Sequence, residues 1–194
     1  MAQSAPAIDA DSEDFYEATR FAQAGRWVDA RDHCERVLNR NPNRLDVYGY
    51  LLHVIGRSDG PKAALDCYLN RCARLEPVPQ EAEASLGGAW GNAAWQALRT
   101  GDPAHLQLAD DLSERAMRAQ PDLPAIVATR GAVMMATSRR DEGYPLITGA
   151  VRKIPDPVDR SEFCRFLATD AKANGDLAMS VEFDALADHL LKTA

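Results

Sequence analysis

The 194-residue sequence has no excess of basic charge: 22 lysines and arginines stand against 29 aspartates and glutamates, a formal net charge of -7. Phosphate backbones and anionic lipid attract proteins through clustered cations, so neither nucleic acid nor a membrane surface is an expected partner. No apolar run approaches the roughly 18 residues needed to cross a bilayer. Met1 to Asp14 lack the basic and apolar regions of a secretory leader, so a cytoplasmic location is expected. Cysteine is sparse: Cys34, Cys67, Cys72 and Cys164 show neither a CxxC nor a Cys/His ligand spacing. These thiols are expected to stay reduced and pack as small hydrophobes.

Catalytic signatures are missing too. There is no nucleophile elbow, phosphate-cradling glycine loop or HExxH segment. Gly87-Gly88 lacks the strand-loop-helix setting of a phosphate loop and is expected to mark a kink or a close helix crossing. His33 and Cys34 are adjacent and therefore point about 100° apart on a helix, which rules out a facing dyad. Asp110-Asp111 are expected on a solvated helix face. No catalytic residue, metal or cofactor is predicted, and the chain is not expected to be an enzyme.

What is present is a folded composition, 46% hydrophobic and 26% charged, with a repeating punctuation. Prolines follow helix ends at Pro42, Pro77, Pro121 and Pro155, spaced 35, 44 and 34 residues apart. Turn signals fall between them at Gly25-Arg26, Ser58-Asp59-Gly60, Thr100-Gly101-Asp102, Ser138-Arg139 and Asn174-Gly175-Asp176. Small residues suited to close crossings recur at Ala30, Ala64, Ala109 and Gly143. Apolar residues keep a helical stripe, as in Tyr48, Leu51, Leu52 and Ile55, with no competing strand alternation. The predicted helices are 12-24, 27-40, 44-57, 61-76, 80-99, 103-119, 123-137, 141-153, 158-174 and 177-192. The fifth lies where the proline spacing is longest, and is expected to be elongated.

Several units carry small and aromatic residues in a recurring frame: Tyr48, Leu51, Leu52, Ile55, Ala64, Tyr68 and Pro77; Trp90, Ala93, Ala94, Ala97, Ala109, Ala116 and Pro121; Gly131, Met134, Gly143, Ala150 and Pro155. In this the sequence resembles the tetratricopeptide repeat family over about residues 11 to 192. The resemblance implies an all-α fold, an α-solenoid of antiparallel helix pairs stacked as a right-handed superhelix. A tail over 1-11 would precede units of about 11-44, 45-79, 80-123, 124-157 and 158-192. It also implies a protein-binding scaffold whose concave groove is lined by the first helix of each pair.

Two first helices carry the same arrangement at i, i+3 and i+7: Tyr50, His53 and Arg57, then Asn92, Trp95 and Arg99. Each trio shares one helical face. Tyrosine, tryptophan and arginine dominate binding hot spots, so this face is the candidate partner-binding groove. Tyr16 with Thr19 and Gln23 extends it at one end, and Thr129 with Met135, or Phe166 with Arg165, at the other. Two arginines beside aromatics in an acidic protein suggest an acidic or carboxylate-ended peptide as the partner. The alternative is a homodimer through the last helix, where Met179, Phe183, Leu186 and Leu190 form an apolar stripe.

Overall fold

The computed structural model describes residues 9–75 and 77–192, which form ten α-helices and two short 3-10 turns, with no strand among the described residues. The pairs are α1 (Ala10–Gln23) with α2 (Trp27–Arg40), α3 (Leu45–Ser58) with α4 (Pro61–Asn70), α5 (Gln80–Arg99) with α6 (Leu106–Ala119), α7 (Pro124–Ala136) with α8 (Arg140–Val151), and α9 (Pro157–Ala173) with α10 (Leu177–Lys192). The longest predicted helix is indeed α5, at 20 residues. Several predicted boundaries shift. A 3-10 turn, Cys72–Leu75, follows α4, another, Pro103–His105, precedes α6, and the expected tail is shorter, because the Asp9 carboxylate accepts from the N–H groups of Asp11 and Ser12 and starts α1 at Ala10. Residues 1-8 of that tail lie outside the described residues.

All five turns within pairs contain one residue with positive φ: Gly25, Gly60, Gly101, Ser138 and Gly175. At the first, fourth and fifth, the following N–H reaches back five residues, from Arg26 to Phe21, Arg139 to Met134 and Asp176 to Ala171. These bonds satisfy carbonyls that the helix end would otherwise leave bare. Such sharp reversals lay the two helices of each pair side by side.

A continuous apolar interior then joins pair to pair. Trp90, Leu51, Leu52, Leu86, Leu112 and Val37 are fully buried or nearly so in the N-terminal part, and Ile147, Leu167, Phe163 and Cys164 in the C-terminal part. Ala30, Ala64, Ala109 and Gly143, the predicted crossing residues, are all buried. The glycine doublet serves a close crossing, since a Cβ on Gly49 of α3 would lie 2.9 Å from the Gly88 backbone of α5. All four cysteines are thiols, and burial pushes Cys34 up to about 12.

Two expectations about polar and terminal positions are corrected. Asp110 is not a solvated carboxylate: Arg130 of α7 donates to its Oδ1 at 2.7 Å and Arg139 also pairs with it, binding α6 to the next pair. On α10, Met179, Phe183 and Leu190 of the predicted stripe face inward and Leu186 does not. Leu190 and Ala187 are buried, Phe183 packs against the core and the Tyr144 hydroxyl donates to Met179 Sδ at 2.8 Å, so these residues serve the solenoid's own interior. Leu186 remains exposed, with Leu177 and Val181.

The first helix pair is held together by charge. Asp14 of α1 takes hydrogen bonds from His33, Arg36 and Arg40 of α2. Burial pushes its carboxyl upward, but these donors prevail and hold it down at about 2, below the usual 3.8. A carboxylate depressed in the folded state stabilises above its ordinary pKa and loses that contribution as pH falls toward 2. Asp14→Asn is therefore expected to lower thermal stability at pH 7 and to leave it nearly unchanged at pH 2, with equal losses at both pH values counting against the pairing.

Candidate functional site

First helices of successive pairs face a common cleft, with an inner pocket of about 80 Å³ and an outer basin of about 500 Å³. The two share His53, Gly88, Asn92, Ala125 and Asp159 and are therefore continuous. Most of the polar positions predicted from sequence meet there. His53 and Arg57 come from α3, Asn92, Trp95 and Arg99 from α5 and Thr129 from α7, all on the inner pocket, while Tyr50 lines the basin.

Two predicted positions do not belong to this surface. Met135 is only 8% exposed and sits in the C-terminal core, because the α7–α8 crossing at Gly131 and Gly143 draws that end of α7 inward. Tyr16 is 67% exposed, and the α1 residues on the basin are Phe15, Thr19, Ala22 and Gln23. Arg165 is directed elsewhere as well, pairing with Asp188 of α10 at 2.8 Å.

The inner pocket is organised around α9. Arg57 donates to Asp159 at 2.5 Å and to Glu162 at 2.8 Å, and Arg99 lies 3.4 Å from Glu162. The Trp95 indole N–H donates to the second oxygen of Glu162 at 3.2 Å. Trp95 itself is 8% exposed and stacks 4.4 Å from Phe163, so it is a wall between α5 and α9. Both arginines expected to receive a partner's carboxylate thus already hold carboxylates of their own chain. The result is a clasp across the cleft, with Arg57 only 13% exposed at its centre.

Sequence inspection missed Asp159, Glu162 and Phe163, although Asp159 and Glu162 stand at i, i+3 on one helical face. Their partner Arg57 lies 102 and 105 residues away, a distance at which no local pattern announces a pairing. Trp27, the first residue of α2, was also missed. It enters the basin beside His53, with ring centroids 6.0 Å apart.

The basin differs in character from the pocket below it. Its walls are Phe15, Trp27, Tyr50 and His53, with Asp46, Asp156 and Asp159 at its margin, and no lysine or arginine is among the described residues that line it. Burial lowers the pKa of His53, opposed by Asp159 and assisted by Arg57, which favours the uncharged ring. Asp46 is held below its ordinary value by the hydrogen bond from Arg44, against some desolvation. Burial raises the Tyr50 phenol to about 12, so it stays protonated. The basin is thus aromatic, with carboxylates at its margin.

Among known proteins, the chain is similar in structure to TTC0263, a thermophilic TPR protein of Thermus thermophilus, at 21% identity and a TM-score of 0.62, covering 91% of this chain and 89% of that one. It is also similar to the nearly identical TPR-like repeats of a putative kinesin light chain from Podosopora anserina, at 16% identity and a TM-score of 0.57, covering 95% and 97%. No family model matches the sequence, and no curated protein matches it. The fold is that of tetratricopeptide repeat proteins, an all-α solenoid of stacked helix pairs.

Proposed function

We propose that this chain is a protein-interaction module that holds a segment of a partner protein in the cleft between its first helices. The observation that carries this reading is the convergence of aromatic and charged side chains from α1, α2, α3 and α9 on a basin of about 500 Å³. Pockets of this size that combine apolar walls with a few placed polar groups are the usual form of a binding site. Aromatic side chains add large rigid contact area at low ordering cost. A tetratricopeptide solenoid supplies such a surface without moving parts, because each pair is positioned by its neighbours.

The charge of the partner is a separate matter. The sequence suggested an acidic or carboxylate-ended peptide at Arg57 and Arg99. A carboxylate arriving there would have to displace Asp159 and Glu162, giving up two charge-assisted hydrogen bonds to form two others, with little net gain. The cleft is better suited to a segment that leaves the clasp intact.

Site-specific photocrosslinking in the native cell tests the location. A photoreactive residue at Thr19, on the basin, should capture a discrete partner, whereas one at Arg118, on the exposed side of α6, should not. Capture from Arg118 alone would place the interaction on the outer helices and remove the cleft from consideration.

A further inference from the structure

We infer that the outer basin is a receptor for a basic segment, with a lysine or arginine side chain of the partner entering between Trp27 and Tyr50 toward Asp156. This rests on the cleft being the docking face, and it assigns the chemistry of the occupant, opposite in sign to the one suggested by the arginines in the sequence.

Charge complementarity carries the assignment. Three carboxylates border the basin, and no lysine or arginine is among the described residues that line it. Arg57 of the inner pocket is taken up by Asp159 and Glu162, and Asp159 is taken up by it in turn. His53 lies 3.9 Å from Asp159, yet burial favours its neutral form. Arg44 donates to both oxygens of Asp46, from Nε at 3.0 Å and from Nη2 at 2.9 Å, and offsets its charge. Asp156 uses Oδ1 to cap α9, accepting from Val158 and Asp159 at 2.8 Å, and remains exposed. The carboxylate that these pairs leave over is Asp156, and its charge faces the basin.

The aromatic walls select the same kind of occupant. A cation over an aromatic face is attracted by the ring quadrupole, most strongly at tryptophan. Trp27 already shows this preference toward Arg57, whose guanidinium carbon lies 6.0 Å from its ring. A side chain with an apolar stem and a charged head would lay the stem along Phe15 and Tyr50, whose rings meet edge to face at 5.5 Å, and place its head near the carboxylates. An acidic segment would meet repulsion at the same rim.

The test uses the full chain and three fluorescein-labelled ten-residue peptides, one rich in lysine and arginine, one rich in glutamate and one neutral and aliphatic, followed by fluorescence polarisation. Saturable binding is expected for the basic peptide, with the other two about tenfold weaker or worse, the scale of one favourable charge contact. In Asp46→Asn/Asp156→Asn the basic peptide should bind about tenfold less tightly at low salt, and the difference should shrink at high salt. Asparagine is a good N-cap, so this variant keeps the start of α9 and leaves the clasp untouched. Asp111→Asn/Asp184→Asn removes two exposed charges from outer helices and should bind as the parent does.

Equal weakening in the two double variants would reduce the effect to net charge and overturn the assignment. So would tighter binding of the acidic or neutral peptide, or no binding of the basic one. Spermidine competing as well as the basic peptide would overturn a protein segment as the source of the cation. Failure of the peptides alongside capture at Thr19 would reject the basic segment but keep the cleft. Failure of both would reject the cleft as well.

Discussion

Arg57→Glu is expected to destabilise the protein by about 2–4 kcal/mol, between the value of a charged hydrogen bond and that of a fully buried ion pair. The substitution removes both bonds to α9 and places a third carboxylate between Asp159 and Glu162. Arg99, 3.4 Å from Glu162, can compensate only one of the three. A drop in the urea midpoint without a change in far-ultraviolet circular dichroism at low denaturant would report a folded solenoid with its clasp open. Adding Glu162→Arg should recover part of the loss, because the pair is then re-formed with its charges exchanged. A variant as stable as the parent would mean that the clasp contributes nothing in solution. Were Arg57 simply a free groove residue, the same substitution would be nearly neutral for stability.

Gly143→Ala should cost about 3 kcal/mol, at the upper end for overpacking. A Cβ at this position would collide with the Gly131 carbonyl oxygen and stand 2.9 Å from the Met135 nitrogen. Both obstacles are backbone, so relief requires α7 and α8 to move apart, which opens gaps around Ile147 and Met134. Gly149, six residues further along α8, has no heavy atom within 4 Å of the same added carbon. Gly149→Ala should accordingly stabilise by about 0.5–1 kcal/mol through helix propensity alone. Urea unfolding of the two variants isolates the crossing from the intrinsic preference. Shifts of the same sign would show that propensity decides at both sites and that the crossing is looser than this geometry requires.

The helix pairs were legible because their determinants are local. Gly25, Gly60, Gly101 and Gly175 announce the reversals, and apolar residues three and four apart announce the buried face of each helix. Gly143 illustrates how far this reaches, since the 34-residue spacing from Ala109 identified it as a crossing residue. The obstacles that a side chain there would meet belong to α7 and became visible only with that helix in place. Met135 marks the limit on the same helix: helical spacing allowed it on the groove face, but the close approach of α8 buries it.

The sequence by itself therefore determined the architecture and most of the polar positions that meet in the cleft, since each depends on residues within one repeat unit. Tertiary structure alone decided what those positions do to one another. Arg57 and Arg99 read as an offer to an acidic partner until α9 brings Glu162 to both. Small rotations between successive pairs accumulate along a solenoid. Whether α3 and α9 come within hydrogen-bonding distance depends on their sum over three stackings, a quantity that no segment of sequence encodes separately.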